Sequence, residues 1–211
     1  MLYNTRKMPG HSMKVRKGDY DIDTIIIHTC YDVFSEIKFK PENVIDWLDE
    51  CGATIHFVIG RDGEVWNPVE EDLRAGHAGV SQLPFEDDKR DVGVNEYSIG
   101  IELISAPELE VTEKQYQSLF LLIEDILTRK EIKYILGHKD VTLTDNVNKK
   151  AIYDLDAEDR ISYKTVPQMS REEYFELMKD EPKTDPWNFD WDKLKEFIKL
   201  KDSNIKLLED A

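Results

Sequence analysis

An α/β domain with a mixed central β-sheet flanked by helices is the fold class this sequence predicts, and three observations predict it. Apolar β-type runs at 24–27, 98–101 and 134–136 alternate with segments of helical periodicity. The first run, Thr24-Ile25-Ile26-Ile27, is continuous rather than alternating, as expected of a strand covered on both faces. Each run also leads into a reactive side chain: His28, Glu102 and His138. Ligands of open α/β sheets bind beyond the carboxyl ends of the strands, so these three residues point to one shared site.

Residues 1–20 are polar, contain Pro9-Gly10 and read as an irregular N-terminal arm. Residues 21–200 read as one domain and 201–211 as a C-terminal tail. Pro41 opens a helix with Val44, Ile45, Trp47 and Leu48 on its apolar face, and Cys51-Gly52 ends it. Ala53–Ile59 reads as a strand. Arg61-Asp62-Gly63-Glu64 is a hairpin turn in which Asp-Gly supplies the positive φ angles, and Val65-Trp66 starts the return. Residues 71–97 form a long loop carrying Gly76-His77-Ala78-Gly79, and loops of this length in a compact domain are often functional. Ser98–Ile104 is the next strand. Thr112 caps a helix over 113–130 whose buried face is Tyr116, Leu119, Phe120, Ile123, Ile126 and Leu127. Ile132–Leu136 is a further strand. Residues 142–181 read as an insertion folded over one edge, with a helical stretch near Arg171–Lys179. A last amphipathic helix starts near Asp190 and turns Trp191, Leu194, Phe197 and Ile198 inward.

The chain has 211 residues, enough for one domain with a core, and its 40% hydrophobic and 34% charged content is that of a folded soluble protein. A formal net charge of −16 argues against nucleic acid as a partner, since phosphate binding needs an excess of Lys and Arg. No apolar run is long enough to span a bilayer, so no membrane association is expected. The first residues lack the apolar stretch of a secretory signal. The expected location is therefore cytoplasmic, or the cell wall reached by a route that needs no signal. A monomer is expected. Cys30 and Cys51 form no CxxC pair, which excludes a cysteine-rich zinc module; two reduced thiols are the simpler expectation.

His28 and His138 are candidate metal ligands, and Asp185 is a reasonable third. Asp185 follows Lys183 by two positions, so in extended backbone both side chains point the same way. A metal so held would activate water. Glu102 would take a proton from that water and return it to a leaving amine, and Lys183 would stabilise the oxyanion of a tetrahedral intermediate. The result is a metal-assisted amide hydrolase. Each residue also has a plainer reading. A strand-end His is commonly structural, Glu102 is satisfied equally by an ion pair, and Lys183 and Asp185 are ordinary in a Pro-bounded turn. His56, between Ile55 and Phe57, reads as a core residue or as support behind a ligand. His77 reads as a substrate contact. Cys30 ranks below Asp185 as a ligand. The acidic run 154–159 lacks the Gly and terminal Glu of a calcium loop and reads as a solvated face.

Six segments, in order, resemble the zinc-dependent N-acetylmuramoyl-L-alanine amidases of the type 2 group, whose fold is shared with T7-type lysozyme and the peptidoglycan recognition proteins. They are Ile25–His28; Ala53–Ile59 with Arg61-Asp62-Gly63; Gly76–Ser81; Ser98–Leu103; Gly137–Asp140; and Lys183–Pro186 with Phe189-Asp190-Trp191. The resemblance implies a zinc groove on one face of a mixed sheet and cleavage of the amide between N-acetylmuramic acid and L-alanine, in peptidoglycan or muropeptides. It implies His28, His138 and Asp185 as Zn²⁺ ligands, Glu102 as the catalytic carboxylate and Lys183 as the lysine beside the tetrahedral intermediate. Ile55 stands where the recognition-protein and T7 branch carries Tyr, which favours Glu102 as acid/base. The sequence departs from the family at the 142–181 insertion, at Trp187 where Gly is usual, and at Gly76 where Trp is common. Within this class the sequence is compatible with a lytic, endolysin-like enzyme and with one that recycles soluble muropeptides. The alternative is a non-catalytic muropeptide- or protein-binding module on the same fold.

Overall fold

The computed structural model describes residues 3–8, 14–85, 87–143, 170, 172–173, 183–201 and 204–208. The elements are β1 (Lys14–Val15), β2 (Thr24–Cys30), α1 (Pro41–Glu50), β3 (Phe57–Ile59), β4 (Val65–Trp66), β5 (Leu73–Arg74), β6 (Ser98–Ile104), α2 (Glu113–Leu127), β7 (Tyr134–Gly137), α3 (His138–Val141), α4 (Trp191–Lys201) and β8 (Lys206–Leu207). Six strands form one sheet in the order β4-β3-β6-β2-β7-β8. All neighbours are parallel except the β3–β4 hairpin. The sheet is thus mixed and flanked by helices, as the sequence predicts.

Strand alternation separates the two faces. Ile25 and Ile27 of β2, Ile99, Ile101 and Leu103 of β6, and Ile135 of β7 pack beneath α2 and α4, against Leu119, Leu122, Ile123, Ile126, Leu194 and Ile198. The opposite face is apolar only at its ends. There Val58 and Ile104 meet Val44 and Ile45 of α1, and Ile26 and Leu136 meet Ala78, Leu83 and Tyr97. Between those patches this face carries His28, Ser98, Gly100 and Glu102. The register sets His28 directly opposite Glu102.

Helix α2 is tied to the sheet by its own cap. Thr112 Oγ1 accepts from the Gln115 backbone N–H, and the Thr112 N–H donates to Gln115 Oε1 at 3.0 Å. The same Gln115 donates from Nε2 to the carbonyls of Ile59 and Ile104, at 3.1 and 3.0 Å. It therefore clamps the ends of β3 and β6 to the start of α2, fully buried. Gln115→Ala removes two hydrogen bonds to buried carbonyls, and urea denaturation is expected to show a loss of about 1–3 kcal/mol.

Several segments differ from the sequence expectation. The strand expected over Ala53–Ile59 is confined to 57–59. Upstream of it, the His56 ring replaces the backbone as acceptor: the Gly100 N–H donates to His56 Nδ1 at 2.9 Å. Thr54 meanwhile exchanges bonds with Gly76 of the long loop rather than with the sheet. The loop 71–97 contains β5, which pairs with β1 of the arm. Arg16 of the arm is drawn in as well, donating to the carbonyls of Glu71, Asn95 and Ser98. From the segment read as a tail, Lys206–Leu207 joins β7 as the edge strand. Of the helix expected near Arg171–Lys179 only Glu172 and Glu173 are described, and both are helical; the acidic run 154–159 and almost all of the 142–181 insertion lie outside the described residues. Among the described residues no helix is long and apolar enough to cross a membrane.

Candidate metal centre

His28 enters from β2, His138 opens α3 directly after β7, and Asp185 arrives from the segment before α4. The backbone delivers Asp185 through a bond from the Lys139 N–H to the Asp185 carbonyl at 3.0 Å. Nδ1 of His138 lies 3.1 Å from Asp185 Oδ1, and Nδ1 of His28 lies 3.3 Å from Oδ2. The two imidazoles sit 4.6 Å apart between centroids. One donor atom from each of the three residues lies within 4.8 Å of the others, and all three residues are buried. Burial pushes His28 down to about 4, aided by repulsion from His138, so its imidazole is neutral at pH 7. Burial acts to raise the Asp185 carboxyl, but the adjoining imidazoles, His138 foremost, outweigh it and hold the group below the ordinary carboxylate range. Two imidazole nitrogens and one carboxylate oxygen are a donor set suited to Zn²⁺.

Glu102 stands across the sheet from His28, 4% exposed, and no donor among the described residues reaches its Oε1. Burial raises its carboxyl well above the usual range, and the charge of Asp185 adds to that; the Cys30 thiol donates to the carboxylate and opposes it. The ion pair that would make Glu102 an ordinary buried acid is not what the described residues show. Lys183 is exposed, and its positive charge is felt at both His28 and Glu102. Cys30 and Cys51 are not joined in a disulfide, and Cys30 is not part of the three-residue cluster.

The substrate role expected of His77 does not fit its position. Its ring is buried behind His28, with Nδ1 3.0 Å from His28 Nε2 and Nε2 3.1 Å from Ser98 Oγ. Both ring nitrogens are occupied, so neither is left to contact a substrate. His56, fully buried, has Nδ1 committed as acceptor; its proton is therefore on Nε2, which donates to the Leu73 carbonyl at 3.1 Å.

A sequence model of the N-acetylmuramoyl-L-alanine amidase family matches residues 18–151, more than half of the chain. The chain belongs to the type 2 N-acetylmuramoyl-L-alanine amidase family. Over 77 residues it is 42% identical to the 1,6-anhydro-N-acetylmuramyl-L-alanine amidase AmpD of Citrobacter freundii, covering 36% of this chain and 38% of that protein. Over 91 residues it is 39% identical to AmpD of Escherichia coli, covering 42% of this chain and 47% of that protein. The matched stretches thus span less than half the length of these curated relatives. In structure, a crystal form of AmpD superposes with a TM-score of 0.59 at 23% identity, covering 93% of this chain and 99% of that one. That likeness is one of fold.

The family match contains His28, Glu102 and His138 and stops short of Lys183 and Asp185. In this amidase-family chain it is the geometry that brings Asp185 to the two imidazoles. Ser98 and Asn95 were not singled out by sequence reasoning, although both support the site. Asn95 Oδ1 accepts from the backbone N–H groups of His77 and Ala78, at 3.1 and 2.9 Å. A usable signal existed: Ser98, Gly100 and Glu102 are spaced by two in one strand and must share a face.

Proposed function

We propose that this protein is a zinc-dependent amidase that hydrolyses the bond between N-acetylmuramic acid and L-alanine in soluble muropeptides. The observation that carries the reading is the convergence of His28, His138 and Asp185 beside an acid, Glu102, with one buried oxygen unpartnered. His28, His138 and Asp185 would hold the zinc ion, which would supply Lewis acidity toward the scissile carbonyl and toward water. Glu102 removes the proton from the attacking water through its carboxylate and delivers it to the leaving amide nitrogen. A carboxyl whose proton affinity burial has raised is suited to that acceptance and return. The Lys183 ammonium stabilises the negative oxygen that develops on the former carbonyl. Similarity to AmpD relatives, which are named as amidases of 1,6-anhydro-N-acetylmuramyl-L-alanine, supports soluble anhydro-muropeptides over polymeric wall.

The test is mass analysis of products from anhydro-muropeptides and from intact sacculi, with and without a chelator. Release of free stem peptide from the soluble substrate, abolished by chelation and restored by zinc, is the expected result. Soluble substrate recovered uncut by zinc-replete protein overturns the enzyme reading. Bound but uncut substrate establishes the binding-module alternative instead.

A further inference from the structure

We propose that His77, backed by Ser98, is a positioning residue that fixes the tautomer of His28, so that the His28 Nδ1 lone pair faces a bound divalent cation. The inference rests on the metal reading above and concerns residues behind the ligands. An imidazole that offers Nδ1 to a metal carries its proton on Nε2. His28 Nε2 faces His77 Nδ1 at 3.0 Å, so with a metal on Nδ1 the His28 N–H would donate and His77 Nδ1 would accept. A neutral His77 that accepts at Nδ1 carries its own proton on Nε2, which faces Ser98 Oγ at 3.1 Å. The hydroxyl accepts, and the chain is satisfied with one proton per ring and no net charge. The reversed tautomer of His28 would place its N–H toward Asp185 and its lone pair toward His77.

The surroundings hold His77 in the one place where this works. Its backbone N–H and that of Ala78 both donate to Asn95 Oδ1, which fixes the loop. Arg16 donates to the carbonyls of Asn95 and Ser98 and so ties the anchor and the final acceptor together. The His77 ring meets His28 edge-on, at 89° between planes and 5.1 Å between centroids. It lies over Gly100, where a Cβ would fall 2.6 Å from His77 Cγ and 2.5 Å from Ile55 Cδ1. Gly100 is therefore the clearance that admits the ring, and Asn95, Ser98 and Gly100 all serve the same side chain. Ligating imidazoles generally donate their second N–H to such a partner, and removing it typically costs about 10–100-fold in metal affinity or activity.

The experiment is zinc affinity, measured by competition with a chromogenic chelator, for wild type, His77→Leu, His77→Asn and Ser98→Ala. Nitrogen NMR of the wild type reports the His28 tautomer directly. His77→Leu is expected to bind zinc about 10–100-fold more weakly. His77→Asn, whose Oδ1 takes the place of Nδ1 as acceptor, is expected to recover most of that loss, which a merely space-filling role would not produce. Ser98→Ala is expected to lose affinity in the same direction by less. Wild-type affinity in a folded His77→Leu overturns the proposal, as does an asparagine variant no better than leucine. Should the leucine variant not fold, unchanged affinity in Ser98→Ala overturns it. Wild-type protein that binds no zinc sinks the metal reading and this inference together. Wild-type protein that binds zinc while the variants bind equally well sinks this inference alone.

Discussion

Glu102→Gln is expected to lower kcat on muropeptide by about 10²–10⁴-fold, the range general acid–base catalysis contributes, while zinc content stays at the wild-type level. The separation of the two readouts follows from position. Glu102 is not among the three residues whose donor atoms converge, so its amide removes the proton acceptor and leaves the ligands in place. The fold should not suffer, because the amide keeps an oxygen for the Cys30 thiol, and among the described residues no other donor reaches Glu102 Oε1. Stability carries a second signature in the metal-free protein. Burial raises the Glu102 proton affinity in the folded state above that of the unfolded chain. The carboxyl is therefore protonated in both states at low pH and costs little there. As pH climbs past the ordinary Glu range near 4.3, the unfolded chain releases the proton first, and wild-type stability falls until the folded carboxyl ionises too. The Gln variant lacks that decline. Thermal melts of metal-free wild type and variant should coincide near pH 4 and diverge, with the variant higher, toward pH 7. Coincident melts across that range would show that Glu102 is not a desolvated acid, and unchanged kcat would remove it from the mechanism.

Asp185→Ala is expected to abolish zinc retention through gel filtration, a loss larger than the roughly 10–100-fold that removing a supporting partner typically causes. Asp185 is the one anionic donor in the cluster, and it holds both imidazoles at 3.1 and 3.3 Å. Without it, two imidazole nitrogens remain, too few for the three protein ligands a catalytic zinc site uses. Asp185→Asn is a sharper variant, since it preserves volume and removes only charge and one oxygen. Stoichiometric zinc in either variant, measured by elemental analysis, would displace Asp185 from the ligand set.

The sheet was legible because apolar side chains recur at strand spacing and the helices carry long stripes. Ile25 and Ile27 on one face with His28 on the other is readable from alternation alone. Two candidate ligands, His28 and His138, were legible as donors just beyond apolar runs; Asp185 was legible only from its two-residue spacing to Lys183 in a Pro-bounded segment. Two things were not. The segment 53–56 has strand composition, yet the His56 ring, not the backbone, takes the Gly100 N–H. No local pattern distinguishes a side chain that substitutes for a ladder bond. His77 sits in a Gly-rich loop and looks solvent-facing in sequence. Its burial depends on Gly100 of β6, 23 residues away in the chain, having no side chain at that point. The contact belongs to the packing of one loop over one strand, and periodicity within either says nothing of it.

The bond from the Lys139 N–H to the Asp185 carbonyl means that the chain departs from the second candidate ligand and comes back to it almost at the point of departure. The excursion between the two is a closed ring in topological terms, shut by the protein's own backbone. Lengthening such a ring costs little, about 0.6 kcal/mol for each doubling. The approach of Asp185 to the two imidazoles is thus set where the ring closes, at that one backbone bond, and not by the number of residues the sequence places between Lys139 and Asp185.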